Sequence, residues 1–349
     1  MNKNYLVIGL SEAEHLSDES SNDIQLVYAG PRFTTDNKHL RTNRKPYISN
    51  IVKYYESKDI QIYGIIIYAD IFSLNLFRPV VDLDMIKIIC IVGDTHHGEK
   101  PISGIIKWLI LNNIETIALK QTINQYPLFE SLGFNVLKLP YYAHDVKFIK
   151  PTKNYFERIV FVGSTGTRHP RRTNHINKLQ SMGVPIDVCK LPRNQSFKAY
   201  NAYACSFNLP LNNDINYRIW EIMAGGGVCL TEYIPSDIQN KILAKENKSV
   251  VMYKNIEECA NKAWELIRDA QKRMKLAETA YSTLKSEKDN NTVINILDNA
   301  FNIMDMSDHR INQIRLNVTR IKYMINNAHH YESQQKKILE KNLLCLTNS

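Results

Sequence analysis

Residues 216–232 read NYRIWEIMAGGGVCLTE. The first half has a helical pattern, with Asp214 or Asn216 placed to cap it. Gly225, Gly226 and Gly227 then let the backbone approach something closely. An apolar run at 228–231 follows, so the stretch is a helix, a glycine turn and a buried strand. Working outward, similar apolar runs occur at 5–10, 61–68, 86–92, 116–119 and 136–139, then at 158–162, 186–189, 206–209 and 249–252. Most are apolar throughout instead of alternating, as in parallel strands covered on both faces. Helical patterns lie between them, which predicts repeated strand–helix–strand units.

The pattern restarts after 147–153, KFIKPTK, a polar stretch with a proline. With 349 residues to distribute, the expected organisation is one doubly wound domain over 1–150, a second over 151–305, and a helical tail over 306–349. Ligands of such sheets bind outside the carboxyl ends of the strands. Ile256, Ala260, Ala263, Trp264, Ile267 and Ala270 predict one long helix over 255–286, and a second is expected over 292–304. In the tail, Ile311, Ile314, Val318, Ile321 and Ile325 form a heptad-like stripe flanked by Arg310, Arg315, Arg320 and Lys322. Such a helix packs back on its domain or pairs with a second copy of the chain. The alternative is a basic face turned to a membrane.

Composition is that of an ordinary globular chain, 44% apolar and 23% charged. A formal charge of +9 suits nucleotide phosphates, polyanions or anionic lipid. Nothing resembles an RNP, zinc or helix-turn-helix signature, so no nucleic-acid partner is expected. The six cysteines show no CxxC spacing. Cys90, Cys189, Cys205 and Cys229 lie in or beside apolar runs, as small buried hydrophobes do in a reducing compartment. Residues 1–10 do not read as a signal peptide, and Asp70 and Lys107 interrupt the two best candidates for a membrane span. The expected location is the cytoplasm, with peripheral contact at the inner face of a membrane left open.

Three stretches carry chemistry. In 216–232, Arg218 and Glu221 are three apart and share a helical face. A guanidinium grips phosphate oxygens with its planar fork, and a carboxylate accepts ribose hydroxyls. The same spacing also fits a surface Arg–Glu pair beside a tight turn. Residues 159–172, IVFVGSTGTRHPRR, are a strand that runs into a small-residue loop and a helix start. Loop amides of Gly163, Ser164 and Thr165 make an anion site, and Arg168, Arg171 and Arg172 add positive charge. Residues 88–99, IICIVGDTHHGE, hold the densest titratable cluster: Asp94, His96, His97 and Glu99. Asp94 and His97 are the candidate acid–base groups. No metal is expected, because His96 and His97 are adjacent and no second pair of ligands accompanies them. A polar loop with a capping Asp is the competing reading.

The second half resembles the glycosyltransferase family-1-like domain of spore-maturation-type proteins, within the GT-B superfamily. The resemblance covers 158–301 and rests on four stretches: Phe161-Val162-Gly163-Ser164; Asn216-x-Arg218-x-Trp220-Glu221-x-x-Ala224-x-Gly226 followed by Leu230-Thr231; Val251-Met252-Tyr253-Lys254-Asn255 before Glu257-Glu258; and Arg273-Met274-Lys275-Leu276-Ala277. It implies an α/β fold of GT-B type, with two doubly wound Rossmann-like domains facing across a cleft. It implies metal-independent transfer of a sugar from a nucleotide-sugar donor to a glycan, lipid-linked or other hydroxyl acceptor, as in cell-surface polysaccharide synthesis. The nucleotide sugar is a co-substrate, and no cofactor is called for. Glu221 would hold the donor ribose. Arg218, Arg168 and the loop of Gly163, Ser164 and Thr165 would hold the phosphates, with Asn216 and Gly226 completing the donor contacts. Asp94, His97 and Arg218 would carry the chemistry. Many retaining relatives have a glutamate eight residues before the ribose carboxylate; Asn213 stands there in this chain. A sugar-nucleotide epimerase, or a non-catalytic nucleotide- or carbohydrate-binding protein, would share the same nucleotide contacts.

Overall fold

The computed structural model describes residues 3–9, 23–43, 45–69, 86–92, 101–119, 126–137, 139, 146–167, 169–210, 215–290, 293–304 and 309–326. They form two compact units, Met1–Leu139 with Val293–Ser349, and Pro140–Thr292.

The first unit is built on a seven-stranded parallel sheet. In chain order its strands are β1 (Lys3–Ile8), β2 (Ile24–Gly30), β3 (His39–Arg41), β4 (Ile62–Ala69), β5 (Lys87–Val92), β6 (Thr116–Leu119) and β7 (Asn135–Leu137). In space they run β3-β2-β1-β4-β5-β6-β7. Leu6, Val27, Ile65, Ile89 and Ile117 are buried on these strands, as apolar runs covered on both faces require. Helices α1 (Ile48–Glu56), α2 (Pro101–Leu111) and α3 (Tyr126–Ser131) connect them.

The second unit has a five-stranded parallel sheet: β8 (Phe156–Val162), β9 (Ile186–Cys189), β10 (Tyr203–Asn208), β11 (Cys229–Glu232) and β12 (Val250–Tyr253), in the order β12-β11-β10-β8-β9. Its helices are α4 (Pro170–Ser181), α5 (Arg193–Ala202), α6 (Arg218–Ala224), α7 (Ser236–Lys241), α8 (Ile256–Arg268) and α9 (Ala270–Asn290). Phe161, Phe207, Leu230, Cys259 and Ala263 sit in its core.

Two expectations are corrected. The long helix over 255–286 is two helices. Asp269 leaves the helical conformation (φ −104°, ψ 85°) and its carboxylate accepts the Lys272 amide at 2.8 Å, which starts α9 afresh. The segment 293–303 does not belong with the second unit. Helix α10 (Val293–Ile303) packs on the first unit's sheet, where Phe301 stacks on Tyr5 with centroids 4.8 Å apart. Lys3 Nζ lies 2.7 Å from Asp298 Oδ1. The Tyr5 hydroxyl also donates to that carboxylate. Gly64 is required beneath the same ring: a Cβ there would come within 2.6 Å of Phe301.

Helix α11 (His309–Asn326) is likewise part of the first unit instead of a separate tail. Ile314 and Val318 of its stripe are buried, Arg315 Nη2 donates to Asn113 Oδ1 at 2.8 Å, and Asn317 Nδ2 donates to the Leu132 carbonyl at 3.2 Å. Among the described residues no helix is long and apolar enough to cross a membrane. The five described cysteines are free; Cys90, Cys205, Cys229 and Cys259 are buried and Cys189 is half-buried.

Candidate functional site

In the second unit the polar groups converge at the carboxyl edge of the parallel sheet, where β8, β10 and the start of α6 meet. Strand β8 ends at Gly163, whose amide donates to the Cys189 carbonyl at 2.9 Å. Ser164 and Thr165 continue exposed. The loop turns at Gly166 (φ +90°), whose amide donates to Thr173 Oγ1 at 2.9 Å, and it enters α4 through Pro170. Loop amides and a helix N-terminus here face the same edge, an arrangement that attracts anions.

Arg218 opens α6 and lies against this loop. A Cβ at Gly163 would stand 2.9 Å from Arg218 Nη2, so glycine is what lets the guanidinium reach the strand end. The guanidinium carbon sits 5.3 Å from the Phe161 ring centroid. Arg218 Nη1 donates to Asn208 Oδ1 at 3.2 Å, and the Asn208 amide donates in turn to Thr231 Oγ1 at 3.1 Å. The arginine is therefore held on three sides and stays half-buried, a preorganised fork for an oxyanion.

Glu221, one turn on, does not pair with Arg218. Its Oε1 accepts from Arg193 Nε at 3.1 Å, and the carboxylate side chain is 17% exposed. The surface Arg–Glu pair is thereby set aside: the two charges sit on one helix with separate partners. Asn216 precedes them. Its side-chain Oδ1 and Nδ2 are buried, and among the described residues neither has a hydrogen-bond partner. A buried unpaired amide costs about 1–3 kcal/mol, a deficit that a bound polar ligand removes.

Residues 148–298 match a family model described as glycosyl transferase-like. This part of the chain is similar to that family. No curated protein matches the sequence. Among solved structures, a mutant of T4 phage BGT in complex with UDP-glucose aligns with a TM-score of 0.51 at 12% identity, over 87% of this chain and 99% of that one. S. aureus TarM in complex with UDP aligns at 0.48 and 14% identity, over 72% of this chain. This chain spans 57% of the length of that one. WaaG, a glycosyltransferase involved in lipopolysaccharide biosynthesis, aligns at 0.48 and 8% identity, over 86% and 99% of the two chains. The likeness to T4 phage BGT gives the chain the GT-B fold.

Within the second unit the structure brings Gly163, Ser164, Thr165, Asn216, Arg218 and Glu221 to one edge. Gly226 is a correction. It lies in the turn that leads into the amino end of β11, away from that edge. A Cβ on it would stand 2.4 Å from the Ile149 carbonyl oxygen and 2.7 Å from Asn201 Nδ2. The close approach foreseen from three glycines is made, but to the chain's own backbone. Arg171 and Arg172 are also spent internally. Arg171 Nη1 donates to the Pro210 carbonyl at 2.9 Å and its other nitrogen meets Glu232, while Arg172 Nε donates to the Leu209 carbonyl at 3.2 Å. Asp94, His97 and Arg168 lie outside the described residues.

Sequence reasoning missed Arg193, Tyr200 and Asn208. The phenol of buried Tyr200 is pushed up by burial and then by the Glu221 charge, with the Arg218 charge acting the other way. Arg193 follows the strand 186–189 at a helix start, the same local pattern that flagged Gly163, so a signal for it existed. Asn208 shows only as a polar residue closing the otherwise apolar strand YACSFN.

Proposed function

We propose that this chain moves a sugar from a nucleotide-sugar donor to a hydroxyl of a glycan or lipid-linked acceptor in cell-surface polysaccharide synthesis, with no bound metal. The observation that carries the reading is the α6 pair. Arg218 is pressed onto the Gly163 loop, and Glu221, one turn away, has one carboxylate oxygen not taken up by Arg193. The guanidinium, the loop amides and the α4 N-terminus supply positive potential where a leaving diphosphate gains charge, which is the work a metal does elsewhere. Glu221 takes the ribose hydroxyls. Asp94 or His97 accepts the acceptor's proton, and Arg168 adds to the phosphate grip.

UDP is the first probe, since the similar T4 phage BGT carries UDP-glucose in its solved complex. Calorimetry with the wild type is expected to show UDP binding, and Glu221→Ala is expected to weaken it at least about tenfold, about 1.4 kcal/mol. Unchanged affinity in that variant removes Glu221 from the site. Product formed only when a hydroxyl acceptor is present separates transfer from epimerisation.

A membrane surface is part of the same reading. Helices α2 and α11 enclose a groove of about 260 Å³ whose apolar lining, Ile106, Ile110 and Val318, is rimmed by Lys107, Arg315 and Lys322. Leu111 and Leu316 are exposed, at 60% and 45%, on the same two helices. Exposed leucines beside cations and no lining carboxylate suit an anionic bilayer surface. The protein is expected to sediment with vesicles containing phosphatidylglycerol and to be released by salt; equal sedimentation with pure phosphatidylcholine would rule out this electrostatic docking.

A further inference from the structure

Arg193 is the first residue of α5, just beyond Pro192 and the end of β9. Its Nε donates to Glu221 Oε1 at 3.1 Å across 28 positions of sequence. Among the described residues this is its one hydrogen bond, and its side chain remains 43% exposed. Glu221 is far less exposed, at 17%, so the carboxylate is the sheltered member and the arginine its cover.

Helix α5 is fastened along α6 at two further points. Asn201 Nδ2 donates to the Gly225 carbonyl at 2.9 Å and to the Lys150 carbonyl at 2.8 Å. The Phe197 carbonyl oxygen packs where a Cβ of Gly225 would stand 3.0 Å away. The start of α5 is therefore fixed relative to α6, and the Arg193 side chain reaches Glu221 from a rigid base. A glutamate otherwise has three rotatable bonds and loses rotamer freedom when it binds.

We propose that Arg193 is a positioning residue for nucleotide recognition: by holding Oε1 of Glu221 it leaves Oε2 aimed at a ribose hydroxyl. The inference rests on the proposed nucleotide site. A carboxylate with both oxygens free can rotate and can be satisfied by water. One with a single oxygen tied in a charge-assisted hydrogen bond presents the other in a fixed direction. The site then reads the presence of a hydroxyl, and the reading depends on Arg193 without Arg193 touching the sugar.

The test uses the full chain and two probes, UDP and its 2′,3′-dideoxy analogue, titrated by calorimetry. In the wild type the analogue is expected to bind about tenfold more weakly, the loss of a hydrogen bond to a charged group. In Arg193→Ala, UDP is expected to weaken about fivefold to tenfold and the two probes to bind nearly alike. Melting should move by no more than about 2 °C, because a half-exposed ion pair contributes little to stability. In the Glu221→Ala background, Arg193→Ala is expected to cause no further loss, since its effect passes through Glu221. An Arg193→Ala protein that keeps the wild-type preference for UDP overturns the inference while leaving the nucleotide site intact. So does a further loss in the Glu221→Ala background. If the wild type binds neither UDP nor any other nucleoside diphosphate, the nucleotide-site reading fails first.

Discussion

Two glycine turns of the second unit look alike in sequence and do opposite things. Gly163 closes β8 at the carboxyl edge of the sheet, and the space its missing Cβ leaves is filled by the tip of Arg218. Gly226 precedes β11 at the amino edge, and the space it leaves is filled by the Ile149 carbonyl and Asn201. One turn admits the tip of a side chain that can face a ligand. The other admits the chain's own backbone. A glycine cluster reports close approach but not what approaches; the edge of a parallel sheet on which it falls decides that.

Matched alanine substitutions break or sharpen this contrast. Gly226→Ala is expected to have the larger effect. It places a Cβ 2.4 Å from a carbonyl oxygen at a residue with φ +74°, a conformation and clash that together cost at least about 2 kcal/mol. Thermal melting should drop by several degrees, and nucleotide affinity of the protein that remains folded should be unchanged. A variant that melts like the wild type yet loses UDP would put this turn in the site after all. Gly163→Ala is expected to be milder and to act on binding as well. Its Cβ would stand 2.9 Å from the Arg218 tip and 3.3 Å from the buried Phe161 ring at a residue with φ +156°, so melting should fall, but by less than in Gly226→Ala, where the obstacle is backbone. Displacing Arg218 should weaken UDP about tenfold, about 1.4 kcal/mol. Loss of stability equal to that of Gly226→Ala would erase the distinction.

Much of this was legible beforehand, for local reasons. The run at 116–119 is strand β6 to the residue, because an interior parallel strand needs continuous apolar sequence; 186–189 is also β9 to the residue, an edge strand whose Asp187 pairs with Arg158. The strand at 24–30, IQLVYAG, carries the same signal and was passed over. Strand β3 is only HLR, and its pairing with Tyr28, Ala29 and Gly30 defines it, so no local pattern could announce it. Asp269 was readable as a cap, but the apolar stripe on both sides of it masked the break. The stripe of α10 showed that one face is buried, not which unit buries it; Phe301 over Tyr5 is a long-range choice. In the site, Arg218 and Glu221 were legible because three residues on one helix fix their geometry. Their partners Arg193, Tyr200 and Asn208 arrive from other elements, and only the folded chain brings them in.

The placement of α10 and α11 reverses the usual timetable of synthesis. Domains generally fold as they emerge, the amino-terminal one first. Here the unit that contains the first strands must wait for residues 293–326, since Gly64 and Tyr5 face a vacant seat until Phe301 fills it. The second unit is complete once residue 292 has left the ribosome. The first unit is thus completed by residues that follow the second in sequence. A stop codon near 292 would spare the second unit and leave the seven-stranded sheet without Phe301 over Tyr5.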